Sequence, residues 1–317
     1  MSLRPLLASA CAGLVALGAC NLNKLTANAT SGMLEAGSVA MDRESDLELA
    51  RLAFPASLKT VETFLVSSPK NESLLLLLAR GYNSYAFAIL EGDLERADTD
   101  GTETEVDELG RRAKLHYLRG REYGFRLLGE PALEQAARKG DLTALDRELA
   151  DLKKDDVPGL FWATYGWASA INLAKDDPDM LTGLGTIEHM IDRVIALDPD
   201  YNSGAPLLFK AVYLGSRPKA FGGKPEQAKA AFERAMAAWG TRNLLVPYLY
   251  ARVYCPAVQD MALFQKLMKQ VLAADVTAQP DLRLNNEVAR ARARYWSARV
   301  EDLILPADPA EPAAPPE

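Results

Sequence analysis

Two histidines and three cysteines are all that 317 residues offer for metal or thiol chemistry. His116 and His189 each lie in a helical stretch with no second histidine or cysteine at i+3 or i+4, so local spacing supplies no zinc site. HExxH, GxSxG and the phosphate-cradling GxxxxGK[ST] are all absent, which removes the commonest signatures of metallohydrolases, serine hydrolases and P-loop nucleotidases. There is no long basic block and the formal net charge is -7, an argument against nucleic acid or an anionic membrane surface as the main partner. No run of alternating apolar and polar residues is bounded by turns, so a sheet is not expected.

Helical periodicity fills almost everything else. Ile187, Met190, Ile191, Val194 and Ile195 follow i, i+3, i+4, i+7, i+8. The same spacing joins Phe264, Leu267, Met268, Val271 and Leu272, and a third stripe runs from Ala228 to Trp239. Each stripe is the buried face of an amphipathic helix. Leu74 to Leu78, bracketed by Glu72 and Arg80, reads as a buried helix rather than a membrane span. "SSPKN", "DDPD", "LDPDYNSGAP" and "FGGKP" separate the stripes, since proline starts a helix but cannot continue one and Asp, Asn and Ser cap the next turn. Pro55 predicts a kink or a new helix, and the acidic stretch Gly92 to Glu108 an exposed loop.

These features give an all-α fold of stacked antiparallel helix pairs. Ile187, Ile191, Val194 and Pro199 carry the spacing of the second helix of a tetratricopeptide repeat. Ser57, Val61, Phe64 and Pro69 repeat it, and Ala228, Phe232 and Ala235 do so with Gly240 in the proline's place. Three imperfect copies amount to a degenerate solenoid.

The N-terminus has the parts of a secretory signal: Arg4 in a positive end, an apolar segment from Leu6 to Leu17, then Gly18 and Ala19 before Cys20. The apolar segment falls short of the ~20 residues that span a bilayer. Leu17-Gly18-Ala19-Cys20 is similar to the bacterial lipobox, in which the cysteine becomes lipidated. A plain signal peptide that happens to contain cysteines is the alternative. Asn21, not aspartate, follows the cysteine, which favours the periplasmic side of the outer membrane. With Cys11 in the leader and Cys20 lipidated, Cys255 stands alone and no internal disulfide can form. The chain then divides into a lipoprotein signal peptide (1–19), a tether (20–45), a helical domain (46–303) and a disordered Pro-rich tail (304–317).

Candidate functional residues are few. "GLFWATYGWASAI" gathers Phe161, Trp162, Tyr165 and Trp167. Phe161 and Trp162 read as core. Tyr165 and Trp167 read as core or as the lining of a mixed apolar and polar cavity. Gly222 and Gly223 read as a turn needing unusual backbone angles. The arginines of "RLNNEVARARARYWSARV" form a solvated face, or one that meets an acidic partner. Carboxylates beside lysines and arginines read as solvated faces and caps, so no catalytic set, cofactor or metal site is expected.

Six passages together resemble the T component of tripartite ATP-independent periplasmic (TRAP) transporters. They are "LLLLLARGYNSYAFAILE", "AKLHYLRGREYGFRLL", "DDVPGLFWATYGWASAI", "DPDYNSGAPLLFKAVYLGSRPKAFGGKPEQAKAAFERAM", "QDMALFQKLMKQVLAAD" and "RLNNEVARARAR". The resemblance implies a helical fold with cryptic tetratricopeptide-like pairs, a lipid anchor, a homotrimer and a pore-like cavity through each subunit. It also implies association with the transporter's periplasmic substrate-binding subunit, and no catalysis. Carried over residue by residue, it marks Tyr165, Trp167, Tyr201, Asn202, Arg217, Gly222, Gly223 and Asn286 as candidate ligand or partner residues. The expected function is thus a lipid-anchored accessory protein that docks the soluble receptor and relays a small organic ligand. A protein-interaction scaffold for envelope assembly, without a ligand, is the alternative.

Overall fold

The computed structural model describes residues 23–174, 180, 182–216 and 223–305. The expected signal peptide, Cys20, Arg217, Gly222 and nearly all of the Pro-rich tail lie outside them. The described residues contain helices and turns and no strand; the chain is all-α. Its contacts divide it into two units. The first holds the described residues up to Pro206 together with Pro280–Leu284; the second holds the rest.

In the first unit, helix α1 (23–37) and the short α2 (Val39–Asp42) lead into α3 (Leu47–Ser67). The tether expected over 20–45 is therefore largely helical. Its buried face uses small side chains, Ala27 and Ser31, rather than the large apolar stripe that marks a helix in sequence. Asn28 and Ser31 hold Ser68 and Asn71 at the α3–α4 turn: Asn28 Oδ1 accepts from Ser68 Oγ (2.7 Å) and Asn71 Nδ2 (2.9 Å). Asp46 caps α3 by accepting from the Glu48 and Leu49 amides. Pro55 does not break that helix. It sits on the exposed side, and its ring costs the helix one backbone hydrogen bond, the one to the Arg51 carbonyl.

Helix α4 (Glu72–Tyr85) passes through a π-turn (Ala86–Leu90) into α5 (Glu91–Asp100). The whole stretch Glu72–Asp100 is long and apolar enough to cross a membrane, yet it packs against α3 and α6 (Glu103–Leu128). The loop expected over Gly92–Glu108 is thus corrected: only Gly101 and Thr102 interrupt two helices. Thr102 and Glu105 form a capping box, with the Thr102 amide donating to Glu105 Oε2 at 2.9 Å. Of the carboxylates that suggested a loop, Glu103 and Glu105 lie in the first turn of α6, where they meet the positive end of the helix dipole.

Gly129 and Gly140, both left-handed, end α6 and α7 (Pro131–Lys139). Asp141 caps α8 (Leu142–Asp151). Helix α9 (Val157–Asn172) packs against α6 more extensively than any other pair. Glycines permit this approach. A methyl at Gly124 would lie 2.5 Å from the Ala163 backbone nitrogen, and one at Gly166 would lie 2.5 Å from the Tyr117 carbonyl. Helix α10 (Leu184–Leu197) follows; its Ile187, Ile191 and Val194 are fully buried. Ser57, by contrast, is exposed, so the repeat spacing there does not mark a buried position.

Helix α11 (Tyr201–Gly215) opens on three consecutive left-handed residues, Asn202, Ser203 and Gly204. The second unit is then built from the rest of α11 from Leu207 on, α12 (Pro225–Trp239), α13 (Leu245–Leu249), a second π-turn (Tyr250–Tyr254), α14 (Cys255–Val258), α15 (Met261–Ala273) and α16 (Arg283–Ser297) from Asn285 on. Its core stacks Phe232 on Tyr250, with ring centroids 4.8 Å apart and planes 7° from parallel.

Candidate functional site

The aromatic run of α9 faces two ways because helical residues two apart diverge by about 200°. On one side Phe161 and Trp162 are buried and meet edge to face at 4.9 Å. Tyr165 sits beside both, at 5.9 and 5.7 Å. The start of α11 closes this group: Tyr201 lies edge-on to Phe161 at 5.5 Å, and the Trp162 indole donates to the Tyr201 hydroxyl at 3.1 Å. Burial pushes the Tyr201 phenol up to about 12, so it remains a neutral hydrogen-bonding group at physiological pH.

Tyr165 also reaches Tyr117 of α6, 6.1 Å between centroids. There it joins a patch in which Ala86, Tyr117 and Ala170 are buried, while Phe87, Leu118, Tyr165, Leu173 and Met180 remain partly exposed. Apolar side chains with accessible edges and a phenol among them suit an apolar ligand or partner with a polar end. Sequence reasoning missed Phe87, Leu118 and Met180. Phe87 lies in the π-turn, where the ordinary 3.6 period no longer predicts which face a residue occupies.

Trp167 points to the other side. It is buried against Phe125 (6.2 Å), with the Arg121 guanidinium 5.3 Å over its ring. Arg121 is held in turn by Glu122 at 2.7 Å. Tyr165 and Trp167 therefore do not share a cavity wall. Asn202 is exposed, with φ 45°, in the left-handed turn just after Tyr201. Gly223 is half-buried ahead of α12. Asn286 is buried in the second unit, its Oδ1 accepting from the Leu244 amide (2.9 Å) and its Nδ2 donating to the Arg242 carbonyl (3.1 Å). Both ends of that amide thus brace a turn. Of the sequence candidates, Tyr165 and Tyr201 pack on the same two rings, Phe161 and Trp162; Asn202 follows Tyr201 in the chain and is exposed.

A second polar and aromatic group lies on α3, α4 and α6. Glu62 Oε1 accepts from Tyr82 (2.6 Å) and Tyr123 (3.0 Å), and Lys59 bonds the other oxygen at 2.5 Å. Burial pushes the Glu62 carboxyl up, but these donors outweigh it and the net shift is downward. Tyr82 stacks between Tyr123 (5.8 Å) and His116 (5.4 Å). Burial first, then the charges of Arg119, Arg112 and Lys59, lower His116 to about 4, against the pull of Glu62. A carboxylate already held by three donors and a neutral imidazole in an aromatic stack make a rigid brace. Deeper in the same unit, Asn83 Nδ2 donates to the Ala79 (2.9 Å) and Trp162 (3.1 Å) carbonyls. A methyl at Gly120 would strike that amide at 2.6 Å.

In the second unit an open groove of about 460 Å³ runs along α15, lined by Phe264, Gln265, Met268 and Leu272 with Ser297 and Val300. Cys255, elsewhere in that unit, is fully buried, and burial pushes its thiol up to about 12, which leaves it protonated and unreactive. Among the described residues no three His, Cys, Asp or Glu side chains cluster as metal ligands.

A family model described as the TRAP transporter T-component matches residues 43–304. An uncharacterized protein of Treponema pallidum (strain Nichols) is 27% identical over 264 residues, covering 83% of this chain and 81% of its own length. The match runs from the residues just before α3 to the turn that follows α16, and so takes in both units and the aromatic patch around Tyr165. The chain belongs to the TRAP transporter T-component family.

Proposed function

We propose that this protein is a lipid-anchored, periplasm-facing accessory subunit of a TRAP-type transport system, without catalytic activity. In this reading a signal peptide over 1–19 is removed and Cys20 carries the lipid, on the outer membrane's periplasmic side. The helical body, its pairs stacked in a degenerate tetratricopeptide manner, docks the transporter's soluble substrate-binding subunit and assembles as a homotrimer. Its role is binding and hand-over of a small organic ligand, and tethering raises the receptor's local concentration near the membrane. The family match over 43–304 is the observation that carries this. The partly exposed patch of Phe87, Leu118, Tyr165 and Met180 supports a ligand with apolar character.

Co-purification tests the reading. The chain mixed with the substrate-binding subunit of a TRAP transporter from the same organism should elute as one complex, and native mass spectrometry should find a small molecule retained. Tyr165→Ala together with Phe87→Ala should lower that ligand's occupancy and leave the complex intact. Elution of the two proteins apart at micromolar concentration would overturn it. A scaffold role without a small ligand is the second reading. The burial of Trp167 and the open groove along α15 favour it, and a complex that retains no ligand would select it.

A further inference from the structure

Helix α1 has two unlike faces. One carries Ala27 and Ser31, both buried, and Leu34, packed on the main apolar core of the first unit. The other carries Leu25, Ala29, Gly32, Met33 and Ala36, all exposed; Leu25 is 66% and Met33 76% accessible. At about 100° per residue these five fall within an arc of roughly 100°. No charged residue lies in that arc, and Lys24 and Glu35 flank it on one side.

What could cover such a stripe is limited by its size and place. Leu25 to Ala36 is about 16 Å of helix, and at roughly 10 Å wide it offers ~160 Å². A stable dimer needs about 800 Å² from each partner, so a second copy is poorly served by it. A bilayer asks only for an apolar strip at the right height. Height is set by the chain. Two residues, Asn21 and Leu22, lie between Cys20 and Asn23, and three residue steps span at most ~11 Å. A lipid on Cys20 therefore leaves no leash, because α1 begins within that distance of the anchor and is pinned to α3 and α4 through Asn28 and Ser31.

We propose that α1 lies on the membrane surface with Leu25, Ala29, Met33 and Ala36 against lipid, seating the first unit on the bilayer. This rests on the lipid-anchor reading above. The test uses the full, lipid-modified chain in vesicles of phosphatidylethanolamine and phosphatidylglycerol. Bimane is placed at Met33→Cys or, for comparison, at exposed Arg147→Cys on α8; the buried Cys255 thiol takes no label. Vesicle sedimentation comes first. The wild type should pellet and Cys20→Ser should not. If the wild type stays in solution, or the variant still pellets, the anchor reading falls and this proposal falls with it. With the anchor confirmed, nitroxide-labelled lipids should quench position 33 severalfold more than position 147. Equal quenching at the two positions would sink the seating alone and leave the anchor standing. Self-quenching at position 33 with no lipid quenching would show a second copy on the stripe, and would also overturn it.

Discussion

Protonating His116 is harder in the folded chain than in the unfolded one. Its ring lies between the faces and edges of Tyr82 and Tyr85, with Arg112 and Arg119 of its own helix and Lys59 of α3 adding positive charge and Glu62 opposing them. The folded value near 4 lies below the ordinary 6.5. Between those values the unfolded chain binds more protons, so stability is complete above about pH 6.5 and declines as pH falls toward 4. Urea midpoints measured across this range should show that decline, and His116→Gln should flatten it above pH 4.5. The Glu62 carboxyl, lowered from 4.5, contributes its own loss only below that. None of this was legible in the sequence. His116 stood alone there, and its neighbours come from residues 57 positions before it and 7 after, from Lys59 to Tyr123.

Single helices show where pattern succeeds and where it fails. The stripes of α10, α12 and α15 were legible because large apolar residues at helical spacing have nowhere to go but inward. The α6–α9 crossing was not, since Gly124, Gly159 and Gly166 carry no apolar side chain to mark a buried face. At Gly124, Gly159 and Gly166 close approach to the facing backbone, not helix propensity, decides; at Gly120 the space is taken by the Asn83 side chain of α4. Gly124→Ala should gain up to about 1 kcal/mol in propensity. It should lose more, a net destabilisation of about 1–3 kcal/mol, because the new methyl would sit 2.5 Å from an Ala163 backbone atom that cannot swing aside. Chemical denaturation of this variant against Gly110→Ala, where a methyl meets nothing within 4 Å, checks the argument. Helix α1 was missed for a related reason: Ala27 and Ser31 are too small to signal burial. Helices α5 and α6 were obscured by their charge, part of which the Thr102–Glu105 capping box of α6 accommodates. At the candidate site, helical spacing already set Tyr165 on the face of Phe161 and Trp162 and turned Trp167 elsewhere; what it could not give was the partner of each, Tyr117 for Tyr165 and Phe125 with Arg121 for Trp167.

For the molecule as a whole, stability rests on helix packing without covalent staples in the described residues, whose free cysteine is Cys255. Reductant should leave the melting temperature of the mature protein unchanged, and a maleimide should react with Cys255 only on unfolding, as followed by mass spectrometry across a urea series. A reductant-sensitive melt would show a cross-link that this fold does not predict. Each unit also carries one π-turn, Ala86–Leu90 in the first and Tyr250–Tyr254 in the second. Glu91 and Asp93 lie just beyond the first, and there they receive the Tyr117 hydroxyl and the Arg51 guanidinium. Shortening Ala86–Leu90 by one residue would restore ordinary spacing and wheel everything downstream by about 100°. Both carboxylates would then miss their donors, so the surplus residue works as a gear tooth that times α5 against the helices on either side.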